Sequence, residues 1–120
     1  MSLQKVPATT AYRKLIAAAA ANGTVISPIS YMAFGTGAAA YAPESDTKLA
    51  AEFKRIACTR SVNGVTVTAR SVLTGADALG KTIREVGVLT ASGVLVGRRV
   101  IAPKELEQES EIEVEIDFEY

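Results

Sequence analysis

The 120-residue chain has no histidine, no tryptophan and a single cysteine. Without imidazole it cannot build a serine triad or a cysteine–histidine pair, and most zinc sites lose their usual donors. Cys58 has no second cysteine to pair with, so no disulfide forms within the chain. Set in a strand between Ala57 and Thr59, it reads as a small core residue rather than a nucleophile. These absences leave no catalytic residue, metal ligand or cofactor-binding group to nominate. Long apolar runs are also missing. No charge occurs between Leu15 and Glu44, yet Asn22-Gly23 and Ser27-Pro28 break that stretch well short of the ~20 continuous apolar residues a spanning helix needs. The opening MSLQKVPATT lacks the basic and apolar regions of a signal peptide. Neither membrane insertion nor export is therefore expected.

What is present is an ordinary globular composition, 48% apolar and 22% charged, enough for one domain with one core. The zero net charge conceals a division. Twelve of the thirteen Lys/Arg precede residue 103, against five acids, while residues 103 to 120 hold eight acids and Lys104. Such segregation favours the tail folding onto the basic body, or onto that of a neighbouring copy, over binding a polyanion. Seven aromatic residues, none interleaved with Arg60, Arg70, Arg98 and Arg99, likewise argue against nucleic acid, so those arginines are expected in structural pairs.

Thr9 or Thr10 can cap a helix that buries Tyr12, Leu15, Ile16 and Ala19 on one face and ends at Asn22-Gly23. A strand from about Ile29 to Phe34 runs into the turn Gly35-Thr36-Gly37, and Ala38 to Ser45 is loop. Ser45 or Asp46 can cap a second short helix carrying Leu49, Ala50 and Phe53 and ending near Lys54. Strands Arg55–Ser61 and Val65–Leu73 flank Asn63-Gly64, the favoured dipeptide of a type I′ turn. Thr74 to Gly80 is loop. Strands Ile83–Leu89 and Val94–Ala102 form another hairpin across Ser92-Gly93, closed by Pro103. From Glu111 to Tyr120 apolar and acidic residues alternate without exception, the signature of a strand with one buried face. The sum is a single α+β domain, a mainly antiparallel sheet of about six strands with two short helices, preceded by a flexible segment over residues 1 to 9.

Two features carry chemistry. The acids Glu111, Glu113, Glu115, Asp117 and Glu119 stand in line ~7 Å apart rather than converging on a point, so they form a solvated or salt-bridged face, or an interface with a basic neighbour, rather than a calcium site. Strict alternation also places Glu85 on the apolar side of its strand, with Ile83 and Leu89. There it needs a partner other than Arg84, such as an arginine from the hairpin, or a bulge near Gly87.

The order of these segments resembles the amino-terminal domain of phage tail-collar fibre proteins. The similarity runs through ISYMAFGTG from Ile29, KLAAEFKR from Lys48, IREVGVL from Ile83 and LVG from Leu95, and spans residues 10 to about 120. Gly35 and Gly37 match the glycines of a GDG-like turn. Leu49, Glu52 and Arg55 match a helix of the TKLVNEVYR type, and Ile83, Arg84, Glu85 and Gly87 match an IREIGLFD segment. Thr36 replaces the family's usual Asp, and Thr90 to Ser92 an acidic turn. The resemblance implies a structural component of a phage or prophage virion tail, not an enzyme, that attaches a fibre to the baseplate or tail collar. It also implies other tail or baseplate proteins as partners and a homo-oligomer, with a trimer favoured. A head–tail connector or tail-completion ring shares the size and β-rich composition. A small carboxylate-dependent cell-wall hydrolase would need Glu85 paired with a tail acid ~5 to 9.5 Å away.

Overall fold

A computed structural model describes residues 1–120 and places them in two four-stranded sheets and one helix. The elements are β1 (Ser2–Leu3), α1 (Thr10–Asn22), β2 (Ile29–Gly35), β3 (Glu52–Ala57), β4 (Thr59–Asn63), β5 (Thr66–Thr74), β6 (Ile83–Thr90), β7 (Leu95–Lys104) and β8 (Glu111–Glu119). One sheet has the order β1-β8-β5-β4 and the other β3-β2-β6-β7; every pairing is antiparallel except β1 with β8. The mainly antiparallel character agrees with the sequence. The expected count of about six strands and two helices is matched only roughly, since eight strands, one of them two residues long, and a single helix form.

Alternation along the strands builds the core between the sheets. Val114, Ile116 and Phe118 of β8 and Ala69 and Leu73 of β5 face Met32 and Phe34 of β2, Val86 and Val88 of β6 and Val96 of β7. Gly97 is required here, since a Cβ on it would lie 2.4 Å from the Phe118 ring. Ser71 ties the layers together by donating its hydroxyl to the Ala57 carbonyl at 3.0 Å.

Helix α1 forms as its caps dictate. Thr9 Oγ1 accepts from the Tyr12 amide at 3.1 Å, and Gly23 closes the helix in the left-handed conformation at φ 69°. Its apolar face is only half-buried, however, and no residue of the helix is sealed from water. Residues 2 to 6 run along β8, with Leu3 and Val6 buried and the Val6 amide donating to Asp117 O at 3.1 Å, and Thr9 reaches β7.

The expected second helix is absent. Residues 36 to 51 form turns and irregular chain, and Glu52 opens β3. Propensity favoured a helix, but pairing of 52–57 with β2 and interior contacts for Phe53 and Ile56 prevail. The single expected strand 55–61 is likewise divided. Chain Glu52–Ala57 edges one sheet, Cys58 carries it across, and Thr59–Asn63 edges the other. The first hairpin turns one residue later than expected: Asn63 pairs with Thr66, and positive φ is confined to Gly64 at 61°. That is the type II′ pattern, in which only the first loop residue needs the left-handed region, rather than type I′.

Candidate functional site

On the side of the β3-β2-β6-β7 sheet away from the core, the middle of the sheet is made of small residues. Gly35 stands opposite Glu85, Ala33 opposite Gly87, and Gly87 opposite Arg98. The missing side chains let residues 36–51 lie against the sheet as a strap. Leu49 fills the space over Gly87, where a Cβ would come within 2.5 Å of its Cδ1. Leu49 joins Ala33, Leu89 and Leu95 in a second, smaller apolar cluster beneath the strap.

Glu85 is the post to which this strap is tied, and it is fully buried. Its Oε2 accepts from the amides of Gly37 at 2.9 Å and Ala51 at 2.8 Å, and its Oε1 from Ala50 at 2.8 Å and from Arg98 Nε at 2.7 Å. Arg98, 2% exposed, extends the network: its Nη1 meets Asp46 Oδ2 at 3.3 Å and its Nη2 donates to the Ala39 carbonyl. Asp46 Oδ2 in turn accepts from the Ala42 amide at 3.0 Å. Two carboxylates and one guanidinium thus bind the strap at residues 37, 39, 42, 46, 50 and 51, and no buried side-chain polar atom lacks a partner. Burial pushes the Glu85 carboxyl up, but the Arg98 guanidinium and the amides of Ala51, Ala50 and Gly37 outweigh it, so Glu85 titrates below its ordinary 4.5.

The arrangement decides what Glu85 is for. Its partner is an arginine other than Arg84, as the sequence required, and it comes from the neighbouring strand β7. Register shifts are present too, one at Val88/Leu89 beside Gly87 and one between Ile83 and Glu85; Ile83 faces the main core while Glu85 and Leu89 face the strap. The nominated acid pair of a hydrolase does not form: Glu85 is sealed under the strap on one outer side of the sandwich, and the β8 acids lie on the other.

Of the motif residues, Gly35, Gly37, Leu49, Glu85 and Gly87 converge on this centre, and Ile83 is core. Glu52 and Arg55 instead pair with each other at 2.9 Å on β3, exposed, and Arg84 lies outside the cluster. Sequence reasoning missed Arg98 and Asp46 as members. By local pattern Asp46 is a helix cap and Arg98 one of a set of arginines, and neither pattern points to Glu85. The one usable signal was the need of a buried Glu85 for a cation on its own side of the sheet. Arg98 meets that need as the diagonal neighbour of Glu85 across the β6–β7 ladder.

The acidic face of β8 lies beside the outward residues of β5, with Thr66 opposite Glu119, Thr68 opposite Asp117 and Arg70 opposite Glu115. Arg70 pairs with Glu115 and, at 3.8 Å, with Glu113; Thr68 donates to Asp117 at 2.7 Å. Part of the ladder is therefore neutralised within the chain, and Glu111 and Glu119 stand exposed at its ends. The four arginines form no stripe: Arg60 donates to Ile29 O at 2.8 Å, Arg99 to Gln4 O at 3.1 Å, and Arg98 is buried. Cys58 is half-buried at the crossing between sheets, its thiol pushed up by burial.

Comparison of the chain with protein-family models, with curated proteins and with solved structures gives no match.

Proposed function

We propose that this protein is a structural subunit of a phage or prophage tail, doing the work of the domain that attaches a tail fibre to the baseplate or tail collar. The observation that carries the reading is the convergence of Gly35, Gly37, Leu49, Glu85 and Gly87 on one buried centre. These five of the nine residues that carry the sequence resemblance are scattered over more than fifty positions, and in three dimensions they are one folding device. A motif whose role is to fix a strap onto a sheet suits a docking module. Glu85 donates no proton to a substrate here, because all its acceptor capacity is directed at the chain and its acidity is raised rather than lowered. The subunit works by presenting its surface to other tail or baseplate proteins, and its place is the virion tail.

Immunogold labelling of tailed particles made by the native host tests this. Label at the junction of fibre and baseplate or collar is expected. Label at the head–tail joint, with closed rings of six or more subunits in light scattering, would replace the reading with a connector, and particles without label would dismiss both.

A further inference from the structure

Each sheet has two edges, and three of the four are defended. The β1 edge is two residues long and borders the acidic strand β8. The β7 edge is covered by the incoming chain: the Thr9 amide donates to Val96 O at 2.8 Å and Thr9 Oγ1 to Leu95 O, and Pro103 and Lys104 end the strand. The β3 edge carries Glu52, Lys54 and Arg55 and a register shift at Phe34/Gly35. Charges, proline, short length and irregularity are the usual protections against strand addition. The β4 edge has little of this protection. Its residues Thr59, Arg60, Ser61, Val62 and Asn63 are all exposed, pair with β5 in unbroken register and include no acid, lysine or proline; the one charge, Arg60, is turned back onto Ile29 O.

The backbone of β4 is ready for a partner. In a hairpin with a two-residue loop, the residues flanking the loop form a hydrogen-bonded pair and alternate residues follow, so Asn63, Ser61 and Thr59 bond to β5. The N–H and C=O groups of Arg60 and Val62 therefore point away from the sheet. Val62, 72% exposed, borders a partly apolar groove of about 420 Å³ between the hairpin, Arg60 and Ser61 included, and Tyr12, Pro28 and Ile29.

We infer that two copies of this chain pair antiparallel through β4, with Ser61 on the two-fold axis, to give one continuous eight-stranded sheet. Arg60 of each copy stands opposite Val62 of the other, which supplies four interchain hydrogen bonds from groups left unused in one copy. The charge layout selects this edge. Joined at β4, the two acidic β8 faces lie five strand spacings apart, ~24 Å, beyond the screening length at physiological salt. Joined at β1 they would stand three spacings apart, ~14 Å, and repel more strongly than at β4. The outward residues at the new seam are Thr59, Ser61 and Asn63, all neutral; on the inward face the two Val62 side chains extend the groove, beside Arg60 side chains held on Ile29 O of their own copies.

The inference goes beyond the attachment reading and does not rest on it. Analytical ultracentrifugation of the whole protein is expected to show a species of twice the 12.6 kDa chain mass. Val62→Pro removes an outward amide that β4–β5 pairing does not use, and is expected to weaken association about tenfold or more while leaving the melting temperature of the dilute protein unchanged. In a Cys58→Ala background, Ser61→Cys is expected to cross-link into covalent dimers on mild oxidation, because facing residues of a non-hydrogen-bonded pair approach to ~4.5 Å. A monomer at all attainable concentrations, a trimer or larger ring, or failure of Ser61→Cys to cross-link would each overturn the pairing. A trimer would do so while leaving the attachment reading in place, and unlabelled particles would remove that reading without touching the pairing.

Discussion

Glu85 and Arg98 stand diagonally across two paired strands, over the bare backbone of Gly87, with Arg98 Nε donating to Glu85 Oε1 at 2.7 Å and both side chains withdrawn from water. The ion pair does not stand alone. Three backbone amides of the strap complete the carboxylate's shell, and this offsets the cost of taking a charge out of water. The pair acts as a peg around which sixteen residues of irregular chain acquire one conformation.

Removing the peg should be expensive. Glu85→Ala strands a buried guanidinium and three amides, and a loss of about 3–5 kcal/mol is expected in urea unfolding. A change below about 1 kcal/mol would show that water replaces the carboxylate at no cost.

The same carboxylate sets an acid limit. Its titration in the folded state lies below the ordinary 4.5, so the stability it contributes is complete above that value and is lost as pH falls through the lowered one. Melting temperature is expected to drop over that acid window in the parent protein. Glu85→Gln should start lower and vary less with pH there, and parallel curves would contradict the assignment.

Gly35 is held by space rather than by conformation. A Cβ would sit 2.5 Å from Glu85 Oε2, an atom fixed by hydrogen bonds, so Gly35→Ala is expected to cost about 1–3 kcal/mol. Gly64, left-handed at φ 61° with nothing near its Cβ position, is the contrasting case: Gly64→Ala should cost about 1 kcal/mol through backbone strain alone. Thermal denaturation of the two variants separates the mechanisms if Glu85→Ala is then added, because only the Gly35→Ala penalty depends on the carboxylate.

Tyr41 locks the strap to the amino-terminal segment by donating its hydroxyl to Pro7 O, and burial pushes that hydroxyl up to about 12. The raised value means that the contribution is intact below pH 10 and is lost as pH rises through about 12. Tyr41→Phe should cost about 1 kcal/mol at neutral pH. It should also remove one late-titrating tyrosinate from the absorbance titration; an unchanged titration would place that group elsewhere.

Much of the sandwich was legible in the chain because its cues are local. Strict period two over 111–120 produced β8 with Val114, Ile116 and Phe118 inward; Thr9 and Gly23 bounded α1; Ser92-Gly93 turned the β6–β7 hairpin. Alternation alone exposed the anomaly at Glu85 and demanded a cation for it. These features depend on residues close in sequence, where sterics and hydrogen-bond geometry leave few options.

Only the tertiary structure decided the rest. Whether 46–54 coils or extends turned on the vacant side of β2, which no local signal encodes. The division of one apparent strand at Cys58 into edges of two sheets, and the choice of Arg98 among thirteen basic residues, likewise depended on which strands lie side by side. The sequence determined most of the faces and turns, since those follow from spacing along the backbone; the exceptions, the Gly64-Val65 turn and the face of Ile83, arose where register shifted. Partnership between distant segments was settled by packing, where burying Leu49 over Gly87 and satisfying every acceptor of Glu85 leave the strap one way to lie.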